Sequence, residues 1–210
     1  LSEGIHSVAD VSNQALLLLG IKRSEANATK KYSYGYGAET YFWALISAVG
    51  IFFLGCGVTV YHGISGLLHG HASHPGMWDY SILVLSLVVE GWTLWVAMKG
   101  INVDRGEIPF FKFVKESADP TPIAVLLEDA AACLGLVIAL IGIFLGQMGF
   151  LLAESIASIT IGILLGFVAV FLIYKNHGLI IGISVNKDVE TKVIDYLNSR
   201  SSVERILDFK

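Results

Sequence analysis

The sequence predicts an all-α polytopic membrane protein. Of its 210 residues, 54% are hydrophobic and only 15% are charged, and the mean hydropathy is +0.67. Soluble domains carry about 25% charged residues, so this balance indicates a protein embedded in a lipid bilayer. The net charge of −4 is small and no basic tract is present, so a nucleic-acid partner is not expected.

Five apolar segments account for the predicted membrane domain. Each is close to the roughly 20 residues that an α-helix needs to cross the hydrocarbon core. They cover residues 2–21, 40–68, 78–97, 122–147 and 150–174. We therefore predict a transmembrane domain over residues 1–175.

The remaining residues, 176–210, predict the start of a cytosolic C-terminal domain that is truncated. Residues 178–185, GLIIGISV, form a short β-like run, and residues 188–199 have helical apolar spacing. Residues 203–210, VERILDFK, resemble the start of a strand. This alternation is typical of a small α/β domain.

The basic residues fix the predicted orientation. All 14 Lys and Arg fall in the loop after the first segment, the loop after the third, or the tail. The positive-inside rule assigns these parts to one side of the membrane, here called the inner side. The first segment then runs from outside to inside, so we expect one further helix upstream and six helices in the intact protein.

Ionisable side chains lie inside these apolar segments, where a charge costs several kcal/mol and usually indicates an ion or substrate pathway. They are His6, Asp10, Glu90, Glu128, Asp129 and Glu154, and the five predicted segments contain no Lys or Arg to pair with them. An acidic interior without cationic partners is suited to binding a cation. Glu154 is close to the end of its segment and is expected at the interface.

His6 and Asp10 are four residues apart, so they share one face of a helix at about 5–6 Å. An imidazole nitrogen and a carboxylate oxygen at that spacing can bind one divalent ion, typically Zn²⁺. The alternative is that the two residues only hydrogen-bond to each other or to a neighbouring helix. Asp129, on another segment, favours the metal interpretation.

Three other acidic or small-residue features allow two interpretations each. Glu128 points about 100° away from Asp129, and is either a proton acceptor near the metal or a helix-packing residue. Glu90 is either a further ligand or a protonated carboxyl bound to a neighbouring backbone. Gly162 and Gly166 form a GxxxG motif that favours close helix packing or dimerisation.

Hydrolase motifs such as HExxH and GxSxG do not occur, so we do not expect an enzyme.

Several stretches together resemble the cation diffusion facilitators. SEGIHSVADVSNQ resembles the HxxxD-bearing second helix of that family, and YSYGYGAE is similar to its HP(F/Y)GYG-E turn, with Tyr32 and Ser33 in place of His-Pro. SLVVEGWTLWVA, FFKFVKESADPTPIAVLLEDAAACLG and ESIASITIG are similar to the zinc transporter 9 branch of the family. The resemblance covers essentially the whole chain.

The resemblance implies helices two to six of a six-helix bundle, a ferredoxin-like cytosolic domain, a homodimer, and exchange of Zn²⁺ for protons. His6 and Asp10 correspond to the second-helix HxxxD motif and Asp129 to the Asp of the fifth-helix motif, whereas the fifth-helix His is Val125 here. Since Val cannot bind metal, the fourth ligand is water, Glu128 or Glu90. The larger share of oxygen ligands favours harder ions such as Mn²⁺ or Fe²⁺, but Zn²⁺ remains the first choice.

The predicted function is therefore a secondary active transporter that exports a divalent cation in exchange for protons by alternating access. The alternative is a membrane-embedded zinc-binding scaffold or sensor that does not transport. The resemblance implies the mitochondrial inner membrane for a eukaryotic protein and the plasma membrane for a bacterial one.

Overall fold

The computed structural model describes residues 2–69, 76–117, 119–182 and 187–200, without the side chains of residues 2–10, 116 and 187–189. Over these ranges the regular structure is helical, which confirms the predicted all-α class. In chain order the elements are α1 (Ser2–Ser24), α2 (Glu39–Gly50), a π-helical segment (Ile51–Gly57), α3 (Val58–His69), α4 (Met77–Arg105), α5 (Phe110–Glu116), α6 (Thr121–Gln147), α7 (Ala153–Ile181) and α8 (Lys187–Asn198).

Four rods in the described ranges are long and apolar enough to cross a membrane. They are α4, α6, α7 and the continuous rod Glu39–His69, which contains α2, the π-helical segment and α3. They coincide with four of the five predicted segments. The fifth, α1, has 23 residues and packs along α2. It is more polar than the other four because ionisable and amide side chains occur along its whole length.

Helix α7 is the centre of the packing. It contacts α6 on one side and the Glu39–His69 rod on the other, while α4 packs on the far side of α6. A buried apolar cluster, formed by Leu17, Ala44, Ala48, Ala124 and Leu172, joins α1, α2, α6 and α7. We call these five residues the apolar cluster. Its members come from four helices, so it fixes their relative positions.

The GxxxG motif of α7 packs against its own chain. A Cβ atom on Gly162 would lie 2.5 Å from Val60 Cγ2 and 3.1 Å from Val60 N, and one on Gly166 would lie 3.0 Å from Cys56 Sγ. Only glycine permits this approach of α7 to α3 and the π-helical segment. The close helix packing predicted from the motif is thus confirmed, whereas dimerisation stays a prediction.

The tail begins differently from the prediction. Residues 178–181 continue α7 as a helix, so the predicted β-like run is wrong over these residues, and residues 183–185 lie outside the described ranges. A short apolar run fits a strand or a buried helix equally well by periodicity alone. Gly182, with φ +93°, ends the helix in the left-handed conformation that glycine tolerates. Helix α8 confirms the helical spacing predicted there, and residues 203–210 lie outside the description.

The extension of α7 also carries Lys175 into the helical bundle. This side chain is buried, and its Nζ donates to the backbone carbonyl oxygen of Val114 on α5. Lys175 directly follows the last predicted segment, residues 150–174. Its partner is a carbonyl rather than one of the membrane carboxylates, and the bond ties the short helix α5 to α7.

Candidate metal site

Asp129 lies two turns into α6 and is only 6% exposed. Ala131 and Ala132 beside it are also buried, and such small residues allow neighbouring helices to approach closely. A carboxylate in this position is expensive to bury unless a partner, a proton or a cation compensates it. The predicted ligand is therefore in the interior of the bundle.

His6 and Asp10 lie on α1, as predicted, and their side chains are outside the described part of the structure. The helical register still shows how α1 continues beyond them. Asn13 follows Asp10 by three residues and Leu17 follows it by seven, so all three occupy one face of the helix. Asn13 and Leu17 are both buried, so α1 directs this face into the protein over residues 13–17.

A hydrogen-bonded chain of three residues crosses the interior at this level. Ser47 Oγ on α2 donates to Asn13 Oδ1 on α1, and Asn13 Nδ2 donates to Glu128 Oε2 on α6. We call Ser47, Asn13 and Glu128 the polar bridge. It connects three helices that contribute to the apolar cluster. Two roles were predicted for Glu128, a proton acceptor near the metal or a helix-packing residue. The structure shows it accepting a hydrogen bond from Asn13, which links α6 to α1.

Asn13 and Ser47 were missed by the sequence reasoning. The signal that was available is that Asn13 is a polar residue on the same helical face as His6 and Asp10. Ser47 gave no such signal, because a serine in an apolar helix usually bonds to its own backbone. Its bond to Asn13 depends on how α1 and α2 are rotated against each other.

Along α1 and α6 the apolar cluster is one turn from the polar bridge, on the side that the predicted orientation makes the inner one. Leu17 follows Asn13 by four residues and Ala124 precedes Glu128 by four, so each is one turn further inward on its helix. Val125, at the position where the family resemblance implies a histidine, packs against this cluster. The environment of Val125 is hydrocarbon-like, and the position supplies no metal ligand.

Glu90 lies on α4 and Asp129 on α6, two helices that pack against each other. Both carboxylates act electrostatically on the thiol of Cys133, which follows Asp129 by one turn. Glu90 is partly buried there, whereas Glu154 lies in the first turn of α7, as expected for an interfacial residue. Among the described side chains, no group of three His, Cys, Asp or Glu residues has the geometry of a metal site. That set does not contain His6 or Asp10, so the ligand set stays a prediction.

Comparisons with known proteins agree with this architecture. Residues 1–181 match the family described as the cation efflux transmembrane domain. The whole chain is 41% identical to the human proton-coupled zinc antiporter SLC30A9, mitochondrial, and covers 37% of it. It is also 36% identical to metal tolerance protein C4 of Arabidopsis thaliana, of which it covers 47%. A magnetosome protein MamB of Magnetospira is 25% identical over 90% of the chain. The chain thus spans less than half the length of the first two relatives.

Proposed function

This chain belongs to the cation efflux family, and on that basis we propose that it forms the transmembrane part of a Zn²⁺/proton antiporter that works by alternating access. The family is one of metal cation transporters. Zinc as the cargo, protons as the counter-ion and the mitochondrial inner membrane as the location are supported by the relatives that are named as mitochondrial zinc antiporters.

The observation that carries the proposal is the buried carboxylate of Asp129 on α6, in a chain whose α1 bears His6 and Asp10 one turn apart. We propose these three residues as the zinc ligands, with Glu128 and Glu90 as further candidates. One imidazole nitrogen and two carboxylate oxygens suit Zn²⁺, which binds such donors in tetrahedral sites. Mn²⁺ and Fe²⁺ are the alternative cargoes, because they accept oxygen-rich sites more readily.

Proton exchange follows from the ligand chemistry. Metal ligands must be deprotonated, so zinc binding releases protons and protonation releases zinc. Histidine is the side chain that changes charge near neutral pH. In the proposed cycle the charge of the His6 and Asp10 pair is therefore compensated at every step, by zinc or by protons.

The apolar cluster supplies the barrier that alternating access requires. It packs α1, α2, α6 and α7 together, one turn further inward than the polar bridge on α1 and α6, and an apolar layer of this kind excludes hydrated ions. In the proposed cycle these helices separate when the site opens inward. They close again when it opens outward.

The test uses the full-length protein in proteoliposomes, with Zn²⁺ uptake and internal pH recorded together. We expect zinc flux coupled to opposite proton flux in the wild type, and loss of both in Asp10→Ala and Asp129→Asn. Glu154→Gln is the matched control, since it removes a carboxylate from the interfacial first turn of α7 and should retain flux. Unchanged flux in Asp129→Asn would contradict the proposed site.

The second candidate function is a zinc-binding scaffold or sensor without transport. It is favoured by Val125, which packs into the apolar cluster where the resemblance implies a fourth ligand. Zinc binding without flux in the wild-type protein would support it. Assembly of the protein as a homodimer is a separate prediction, to be measured by the mass of the full-length protein in detergent.

A further inference from the structure

Both ends of the Asn13 carboxamide are engaged in the bundle interior. Asn13 is 6% exposed and Ser47 is 2% exposed. The Ser47 hydroxyl donates to the carboxamide oxygen, which directs the amide nitrogen towards Glu128. An amide nitrogen can only donate, so the Glu128 oxygen that it reaches is committed as an acceptor.

Glu128 is nevertheless close to the proposed ligands. It is next to Asp129 in the sequence, and its partner Asn13 is one turn from Asp10 on the same face of α1, a rise of about 4.5 Å along the helix. The glutamate side chain is long and flexible. Rotation about its side-chain bonds changes the position of its carboxylate, while Asp129 remains the next residue on α6.

We propose that Asn13 determines metal specificity by holding the Glu128 carboxylate away from the metal, with Ser47 fixing the orientation of the Asn13 amide. This inference rests on the proposed function, because it assumes the ligands His6, Asp10 and Asp129. With Glu128 held back, the site contributes one nitrogen and two oxygen-bearing side chains. With Glu128 released, it gains a third carboxylate.

The expected consequence follows from ligand preference. Zn²⁺ tolerates a small mixed set of nitrogen and oxygen donors, whereas Mn²⁺ favours more oxygen ligands and a higher coordination number. An additional carboxylate therefore improves Mn²⁺ binding more than Zn²⁺ binding. Val125 adds to this effect, since no histidine nitrogen is available at that position to restore the preference for zinc.

The experiment measures competition between Zn²⁺ and Mn²⁺ for the full-length protein in detergent. We expect Asn13→Ala to raise the affinity for Mn²⁺ relative to Zn²⁺ by about tenfold, the order of magnitude of one hydrogen bond to a charged group. Adding Glu128→Gln to that variant should return the ratio to the wild-type value. Ser47→Ala should shift the ratio in the same direction by less, and it serves if Asn13→Ala does not fold.

The matched control is Asn176→Ala. Asn176 is a fully buried asparagine on α7 that donates to the carbonyl of Leu172, so its loss reports the general cost of removing a buried amide. It should lower stability without changing the metal ratio. An unchanged ratio in both Asn13→Ala and Ser47→Ala, or an equal change in Asn176→Ala, would overturn the inference.

Asp129→Asn separates this inference from the proposed function. If it leaves zinc affinity intact, the proposed ligand set is wrong and the specificity argument falls with it. If it abolishes zinc binding while Asn13→Ala leaves the ratio unchanged, the ligand set stands and only the inference about Asn13 fails.

Discussion

The polar bridge and the apolar cluster occupy neighbouring turns of the same helices but solve opposite problems. On α1, Asn13 and Leu17 are four residues apart, and on α6, Glu128 and Ala124 have the same separation. In the bridge, Asn13 and Ser47 satisfy each other and supply a donor to Glu128. In the cluster, no polar group has to be satisfied. Along α1 and α6, a single helical turn therefore separates the hydrogen-bonded polar side chains from the apolar cluster, whereas on α2 Ala48 directly follows Ser47.

The strongest way to break this contrast is to open the apolar cluster with Leu172→Ala. Leu172 is 1% exposed, and a cavity at such a position costs about 2–5 kcal/mol. We expect a clear drop in the melting temperature of the full-length protein in detergent. Phe167→Ala is the control, because Phe167 on the same helix is 74% exposed. Equal losses in the two variants would show that the cluster does not hold the bundle together.

Val125→His sharpens the contrast by placing a possible zinc ligand against the apolar cluster. The new imidazole lies one turn from Asp129, so we expect zinc affinity to rise about tenfold, or about 1.4 kcal/mol, with some loss of stability. Competition with a zinc chelator measures the gain. Val168→His places an imidazole against the same cluster from α7 and should lose stability without the gain. Equal affinity changes in both variants would argue against Asp129 as a ligand.

The smallest expected effect is at the inner edge of the cluster, where Lys175 follows Leu172 by three residues. Lys175→Met removes the donor to Val114 and should destabilise the packing of α5 against α7 by about 1 kcal/mol. Amide hydrogen exchange over residues 110–116 should then speed up about fivefold. Lys115→Met, which changes an exposed lysine of α5 itself, should leave the exchange rate near the wild-type value. No difference between the two would mean that Lys175 does not anchor α5.

The sequence was sufficient for the long apolar helices because each apolar run is a property of one segment. The burial of Asp129 also followed, since an acidic residue deep in such a run has to face protein or a cation. The polar bridge did not follow. Whether Ser47 reaches Asn13 depends on how two helices are rotated against each other, and neither segment contains that information. The continuation of α7 over residues 178–181 was missed for a different reason, because a short apolar run fits a strand or a helix equally well.

The π-helical segment between α2 and α3 changes which face of the Glu39–His69 rod is directed into the protein. A π turn takes in one residue more than an α turn, which advances every later side chain by about 100° around the axis. Before the segment, Ser47 and Ala48 face the bundle that contains α1; after it, Gly63 and Gly66 are buried, with Gly63 against α7. Removing one residue from Ile51–Gly57 would undo this rotation, so that α2 and α3 would present the same face of the rod to the protein interior. Because α2 packs against both α1 and α7, the deletion would leave those contacts in place and turn Gly63 on α3 away from α7, so the length of the segment determines how α3 meets α7.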